Sequence, residues 1–167
     1  PIIGYFGRIE SYVDLDMLAQ LARVYPDAKL VLIGNIDVES LPFTDLPNVH
    51  CLGPRPFERL PDYVAHFTVG LIPFAVTELT IAVNPIKLRE MLAAGCPVVS
   101  TELPEASLYD TVKIAKDASQ FIKQVGEFLN APLDETARQA ISDSVRSETW
   151  KHRCQELVDR ALLLLQS

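Results

Sequence analysis

Short runs of apolar residues alternate with segments of helical periodicity along most of the chain. Continuous apolar runs of strand length occur at "IIGYF", "AKLVLIG", "NVHCLG", "TVGLIPF" and "PVVST". Between the first two runs, helix spacing of three and four positions separates the apolar residues Leu15, Leu18, Leu21 and Ala22. Strands that are apolar throughout are typical of a parallel sheet covered on both faces. The pattern predicts an α/β domain with a Rossmann-like, doubly wound parallel sheet and helices on both faces.

The last third of the chain changes from this alternation to helices. A weaker strand at "TVKIA" precedes helical segments over 117–130, 134–145 and 148–165. The chain has 167 residues and no internal linker, so we expect residues 1–167 to form a single domain with a C-terminal helical segment. Because it begins on a strand-like run without Met, we expect it to be a fragment of a longer two-domain protein.

Composition narrows the range of partners. The formal net charge is −7 and no stripe of Lys and Arg is present, which argues against a nucleic-acid partner. Cys51, Cys96 and Cys154 are widely spaced, as expected of reduced thiols in a cytoplasmic protein. The His and Cys residues do not have the spacing of metal ligands. No apolar stretch reaches the roughly 20 residues of a transmembrane segment.

A helix over 84–94 carries the first candidate chemistry. We predict Asn84 as its N-cap and Pro85 as its first residue, with Gly95 in the left-handed conformation that ends it. Ligands of doubly wound sheets bind beyond the C-terminal ends of the strands. We therefore expect the free amides of Ile86 and Lys87 to face that crevice, where the helix dipole favours an anion.

Charged residues in the first turns of this helix indicate what the ligand is. Lys87 adds a positive charge beside the free amides, which suits a phosphate. Glu90 lies three residues further on the same face, where a carboxylate can accept both hydroxyls of a ribose diol. The alternative is that Lys87 and Glu90 form an exposed ion pair of the i,i+3 type.

A second cationic position follows the first strand. Gly7 and Arg8 end "YFGR", so that a glycine permits close approach of the backbone and a guanidinium follows at the carboxyl end of the strand. Arg8 and Lys87 would then converge on one crevice. The alternative for Arg8 is an ordinary surface residue, because a Gly-Arg pair is a weak motif by itself.

These features together resemble a known family. The chain looks like the C-terminal, nucleotide-sugar-binding half of group 1, family 4-like glycosyltransferases of the GT-B fold, and the resemblance covers nearly all of it. It is carried by "GYFGRIE", "AKLVLIG", "NVHCLGPRPFERLPDYVAHFTVGLIPF" and above all "NPIKLREMLAAGCPVVST". The final "TWKHRCQEL" resembles the last helix of that family, which implies that the helix over 148–165 packs towards an N-terminal domain.

The resemblance implies roles for individual residues. Arg8 would bind the donor diphosphate with Gly7 allowing the backbone to approach, and Glu90 would bind the ribose hydroxyls. Arg55, Pro56 and Phe57 resemble the segment that receives the nucleobase. Lys87 belongs to a variant of the motif, and we infer a phosphate contact for it.

The chain departs from the family pattern in two places. Many members have a glutamate that contacts the transferred sugar where this chain has Ala82. Glu78 or Thr80 in the same loop are the alternatives for that contact, or the donor is recognised differently. Members also often have a lysine shortly after Gly-Arg, whereas "IESYVDLD" has none, and Lys87 is our candidate to supply that charge.

The resemblance implies an enzyme of the hexosyltransferase type. It would transfer a sugar from a nucleotide diphosphate-sugar, with retention at the anomeric carbon, in polysaccharide or glycoconjugate synthesis. No metal or other cofactor is expected, because positive charge and helix amides stabilise the leaving diphosphate. The acceptor would be held by the missing N-terminal domain, with peripheral membrane association as an option. The sequence offers no evident nucleophile or general base, so we expect negligible transfer by this part alone.

Two alternatives come from other functional classes. A NAD-dependent dehydrogenase would need a GxGxxG turn, which "GYFGRIESY" lacks, although Asp37 follows the second strand. A non-catalytic nucleotide-binding or docking module derived from the same fold is favoured by Ala82 and the absent lysine. Nucleotide binding without transfer by the complete protein would indicate such a module.

Overall fold

A single six-stranded sheet forms the centre of the molecule. The computed structural model describes residues 1–165, except for the side chains at positions 150, 153, 156 and 165. All strand pairs within the sheet are parallel. The strands are β1 (Ile2–Phe6), β2 (Lys29–Ile33), β3 (Val49–Gly53), β4 (Val69–Ile72), β5 (Val98–Thr101) and β6 (Val112–Ala115).

The strand order confirms the predicted Rossmann-like sheet. It runs β3-β2-β1-β4-β5-β6, so the chain winds outwards in one direction from β1 and in the other from β4. At the centre, Gly4 of β1 lies between Val31 of β2 and Gly70 of β4. The β1–β4 junction is therefore the point at which the winding reverses, and loops from the two sides diverge there to leave a crevice.

Seven α-helices surround this sheet within the described residues. The α1 and α5 helices pack on each other, and α4 packs on α6. The helices are α1 (Leu15–Val24), α2 (Leu60–Val64), α3 (Glu78–Ile81), α4 (Ile86–Ala93), α5 (Ala118–Asn130), α6 (Glu135–Ser144) and α7 (Trp150–Leu165). Between β3 and β4, a 3₁₀ turn (Phe57–Arg59) leads directly into α2.

Local chemistry explains where several helices begin and end. Asp14, Asp117 and Asp134 cap α1, α5 and α6, each side chain accepting a hydrogen bond of 2.8 Å from a backbone amide in the first turn. At the end of α4, Gly95 adopts φ +68°, which confirms the predicted left-handed stop. These signals are local in sequence, so they predict boundaries well.

Apolar side chains from both faces of the sheet form one continuous core. On β1, Ile3 and Tyr5 are buried, and β4 contributes Val69, Leu71 and Ile72. This burial explains why the central strands are apolar at every position. By contrast, Leu157 and Leu162 of α7 are 68% and 50% exposed.

Candidate functional site

The residues predicted to bind a ligand come from loops at the point where the winding reverses. Gly7 and Arg8 follow directly after β1. The segment after β4 runs through α3 and enters α4 at Ile86. Because β1 and β4 are adjacent and parallel, these loops lie at the same edge of the sheet.

Gly7 and Lys87 are in direct contact at this edge. Gly7 has φ +127°, a conformation that side chains rarely adopt. A β-carbon at Gly7 would lie 2.2 Å from Nζ of Lys87. The structure thus brings together two residues that the sequence places 80 positions apart. Phosphate binding by them stays a prediction.

Lys87 is held inside the fold by aromatic residues. Its Nζ donates a hydrogen bond of 2.9 Å to the Tyr5 hydroxyl, and it lies 4.5 Å and 5.1 Å from the ring centroids of Tyr5 and Phe74. Burial lowers the pKa of Lys87 to about 8, partly offset by the charges of Glu90 and Glu10. The exposed ion pair of Lys87 with Glu90 is therefore the wrong alternative.

Arg8 lies at the surface and already interacts with acidic residues. Its Nε is 2.7 Å from Glu10 and 3.0 Å from Asp37, and its side chain is 65% exposed. The hydrogen bond to Asp37 is the main reason that the pKa of Arg8 is raised, and Glu10 adds to it. Asp37, the residue that favoured a dehydrogenase, thus binds this guanidinium. The exposure of the guanidinium leaves it accessible to a ligand.

Glu90 lines a groove of about 1250 Å³ beside α4. Burial raises the pKa of its carboxyl group, and the Lys87 charge acts in the opposite direction. In the part of the chain that the structure describes, no side chain forms an ion pair with Glu90. Three more predicted residues line the same groove, namely Phe57, Asn84 and Ile86.

Asn84 does not have the predicted capping role. The α4 helix begins at Ile86 with Pro85 in the N-cap position and no capping side chain. The Asn84 side-chain oxygen instead accepts a hydrogen bond from Nη1 of Arg89. Asn84 lies one residue before the N-cap position, and its side chain binds the partly buried guanidinium of Arg89. The first backbone amides of α4 therefore have no side-chain cap.

The segment Arg55–Pro56–Phe57 is divided between two environments. Nε of Arg55 donates to the Tyr63 hydroxyl at 3.1 Å, and Nη1 donates to the Pro54 carbonyl at 3.0 Å. Phe57 is 67% exposed. Of the three residues, Phe57 alone is among the residues that line the groove in the described structure.

Thr80 is buried inside its turn, whereas Glu78 is exposed. Thr80 is 1% exposed, and its hydroxyl donates to the Ala75 carbonyl at 2.5 Å inside the turn. Thr77 and Thr80 form a reciprocal cap for α3. A buried hydroxyl with these partners stabilises the turn, and a sugar contact by Thr80 stays a prediction. Glu78 is exposed in the first turn of α3 and remains a candidate for that contact.

Arg89 is the centre of a cluster that the sequence did not reveal, and its members line the same groove as Glu90. This guanidinium forms ion pairs with Glu105 and Glu148, the latter at 2.7 Å, and lies 5.7 Å from the Tyr109 ring centroid. The Tyr109 hydroxyl also donates to Glu148 at 2.8 Å. The only sequence signal is a charge next to the buried Leu88, since the partners lie 16 and 59 residues away.

The fold and the residues at this edge place the protein among Rossmann-like α/β domains with a ligand crevice beyond the strand ends. A family model described as Glycosyl transferases group 1 matches residues 1–131. The chain belongs to this family. A protein of Bacillus subtilis (strain 168) with the provisional name teichuronic acid biosynthesis glycosyltransferase TuaH is 31% identical over 159 residues. The match covers 89% of this chain but 40% of TuaH.

Solved glycosyltransferase structures share the fold. Sucrose-phosphate synthase from Thermosynechococcus elongatus superimposes with a TM-score of 0.73 and 18% identity, over 100% of this chain and 46% of that one. Anabaena HepE, solved in complex with UDP and glucose, gives a TM-score of 0.66 and 14% identity, over 96% of this chain and 47% of that one. The chain therefore has the architecture of one half of a GT-B fold and spans less than half of these proteins.

The described residues contain neither a membrane-spanning helix nor a cluster of metal ligands. None of their helices has the length and apolar character needed to cross a bilayer. Within the same residues, no group of three or more His, Cys, Asp and Glu side chains is placed to hold a metal ion.

Proposed function

We propose that this chain is the donor-binding domain of a retaining glycosyltransferase of the hexosyltransferase type. The donor is a nucleotide diphosphate-sugar, and the product belongs to a polysaccharide or glycoconjugate. The single observation that carries the proposal is the meeting of Gly7, Lys87 and Glu90 where the winding of the sheet reverses, in a chain of this family. TuaH is named for teichuronic acid biosynthesis, which favours a polysaccharide product.

The chemistry assigned to this domain is binding of the leaving diphosphate. As the glycosidic bond breaks, negative charge develops on the diphosphate, and nearby cations and helix amides lower its energy. Lys87 and the uncapped first turn of α4 provide such groups, with Arg8 at the surface beside the same loop. In this proposal, the charge stabilisation needs no metal.

Glu90 is assigned to the ribose. A carboxylate that lacks an ion-pair partner can accept hydrogen bonds from both hydroxyls of a vicinal diol. Glu90 fits this role among the described residues, because it lines the groove one turn from Lys87. Phe57, exposed in the same groove, is our candidate surface for the nucleobase.

We propose that the acceptor is bound by a domain that lies outside this chain. The chain spans 40% of TuaH, so a two-domain enzyme leaves room for an acceptor domain. We propose that α7 packs on that domain, since Leu157, Leu162 and Leu164 are exposed apolar residues of this helix. The free thiols of Cys51, Cys96 and Cys154 support the cytoplasmic location that the proposal includes.

A calorimetric titration with UDP, GDP, ADP and CMP tests the proposal. We expect selective binding of one nucleotide, weakened by roughly 1.5–3 kcal/mol in Glu90→Ala, because a charge-assisted contact to the diol is lost. Folded protein that binds none of the nucleotides would contradict the proposal. Binding that Glu90→Ala leaves unchanged would remove Glu90 from the site.

A non-catalytic nucleotide-binding module is the second candidate. It is favoured by Ala82, where a sugar-binding glutamate is usual, and by the interaction of Arg8 with Glu10 and Asp37. Sugar transfer from the donor by the complete protein would exclude it. Nucleotide binding without turnover would favour it.

A further inference from the structure

We propose that Tyr5 is a positioning residue that holds the ammonium group of Lys87 at the donor phosphates. This inference rests on the proposed function and adds a residue of the β1 strand to it. Tyr5 is buried within β1, so we do not expect it to contact the donor itself. Tyr5 would act through Lys87.

The Tyr5 hydroxyl joins the loop after β1 to the α4 helix. It donates to the carbonyl oxygen of Arg8 at 2.7 Å and accepts from Nζ of Lys87 at 2.9 Å. These directions follow from chemistry, because a carbonyl can only accept and an ammonium can only donate. A single buried oxygen thus links the backbone at Arg8 to the ammonium group of Lys87.

The surroundings of Lys87 replace most of the water that an ammonium normally binds. The Tyr5 and Phe74 rings lie 4.5 Å and 5.1 Å from Nζ, at cation–π distances. An ammonium has three donors, and Tyr5 is its hydrogen-bond partner among the described residues. The remaining donors are available to a phosphate. The rings hold the cation without neutralising it, as a carboxylate would.

The charge state of Lys87 depends on this environment. The titratable groups that face it are Tyr5 on β1, Glu10 on the loop after β1 and Glu90 on its own helix. Burial raises the pKa of Tyr5, so this hydroxyl stays neutral and keeps its proton for Arg8. Without the Tyr5 oxygen the ammonium would lose its acceptor, so the pKa of Lys87 would fall further below about 8.

Tyr5→Phe and Tyr12→Phe form a matched pair of variants. Each keeps its ring and loses one hydroxyl. The Tyr12 hydroxyl also donates to the Arg8 carbonyl, at 3.2 Å, but the hydrogen bond from Lys87 goes to Tyr5. In Tyr5→Phe the Arg8 carbonyl therefore keeps a donor. The comparison separates the contact with Lys87 from general support of the loop.

The first experiment measures the titration of Lys87 by NMR of its side-chain methylene carbon, without nucleotide. Tyr5→Phe should lower the pKa of Lys87 by about one unit, whereas Tyr12→Phe should leave it near the wild-type value. Equal shifts in both variants, or none in either, would overturn the inference. This measurement does not depend on the proposed function.

The second experiment measures binding of UDP, GDP, ADP and CMP. For the nucleotide that wild-type protein binds, Tyr5→Phe should weaken affinity about tenfold at about pH 8.5 and about twofold at about pH 6.5, where Lys87 is still charged. In a Lys87→Met background, Tyr5→Phe should have no further effect, because the two residues act as one unit.

The outcomes distinguish the two proposals. No nucleotide binding by the wild-type protein would overturn the proposed function. Wild-type binding that Tyr5→Phe leaves unchanged, or weakens equally at all pH values and also in the Lys87→Met background, would overturn the role of Tyr5 alone. Loss that depends on both pH and Lys87 would support it.

Discussion

Nζ of Lys87 lies so close to Gly7 that a β-carbon on the glycine would come within 2.2 Å of it. Gly7 is at the carboxyl end of the first strand, and Lys87 is in the first turn of α4. The glycine thus serves two purposes, since its φ of +127° turns the chain and its missing side chain makes room for the ammonium. This contact links the stability of the loop to the chemistry of the site.

Gly7→Ala should destabilise the protein and disturb the site at the same time. We expect a loss of about 2–3 kcal/mol in the free energy of unfolding, because both the backbone conformation and the position of Lys87 must change. Gly53→Ala is the control, since Gly53 has φ +70° and a β-carbon there would meet nothing within 4 Å. Urea denaturation of both variants measures the difference. Equal losses would show that the contact with Lys87 adds nothing.

Lys87→Met should stabilise the protein while it weakens nucleotide binding. The pKa of Lys87 is lowered from 10.5 to about 8 by burial, so the folded state binds fewer protons than the unfolded state between these values. Stability therefore rises with pH across this window, and the charged side chain is a cost below it. We expect a gain of about 1–2 kcal/mol at neutral pH, measured by thermal or urea unfolding.

The gain in Lys87→Met should decrease as the pH rises from about 8 to 10.5, because the wild-type side chain becomes neutral. Lys116→Met, at an exposed position of the chain, is the control and should change stability by less than about 0.5 kcal/mol. A destabilised Lys87→Met protein would mean that the contacts with Tyr5 and Phe74 outweigh the desolvation of the charge.

Nucleotide affinity should decrease at acid pH through Glu90. Burial raises the pKa of this carboxyl group above its usual value, so it becomes protonated at a higher pH than an exposed glutamate. Protonation removes the charge that accepts the diol hydrogen bonds, and affinity should fall roughly tenfold. Calorimetry from about pH 7 to about pH 4 measures this acid limb.

Glu90→Gln should bind nucleotide weakly and lack the acid limb, because an amide does not titrate in this range. Glu135→Gln, at an exposed position at the start of α6, should keep the wild-type profile. An acid limb that persists in Glu90→Gln would assign the titration to another group.

Arg89→Met should be strongly destabilising. It would leave the partly buried carboxylates of Glu105 and Glu148 without their guanidinium, at an expected cost of about 2–4 kcal/mol. The control is Arg59→Met, which removes an exposed i,i+3 pair with Asp62 and should cost less than about 0.5 kcal/mol. Urea denaturation measures both. Similar small losses would show that the cluster is not a stabilising element.

Part of the fold could be predicted because its signals are local. The apolar run of β1 and the stop at Gly95 each act within a few residues, and the structure confirms both. The prediction of Asn84 as a cap is wrong, because local sequence signals do not include contacts with distant residues. Arg89 uses the Asn84 side chain, and Arg89 itself is held by residues far along the chain.

The site was predictable as a set of residues but not as a geometry. Loop order at the strand ends placed Gly7, Lys87 and Glu90 near one crevice, because parallel strands present their carboxyl ends at one edge. Burial of Thr80 inside its turn could not be foreseen, because its hydroxyl is oriented by the path of the α3 loop.

By itself, the sequence determined the alternation of strands and helices, the sheet class and the residue types at the crevice, because periodicity and turn chemistry act over short distances. Only the tertiary structure decided that Lys87 turns inwards to Tyr5 and that Glu90 is left without an ion-pair partner among the described residues. Burial and contacts between distant segments set the charge and direction of a side chain, and neither is encoded in spacing along the chain.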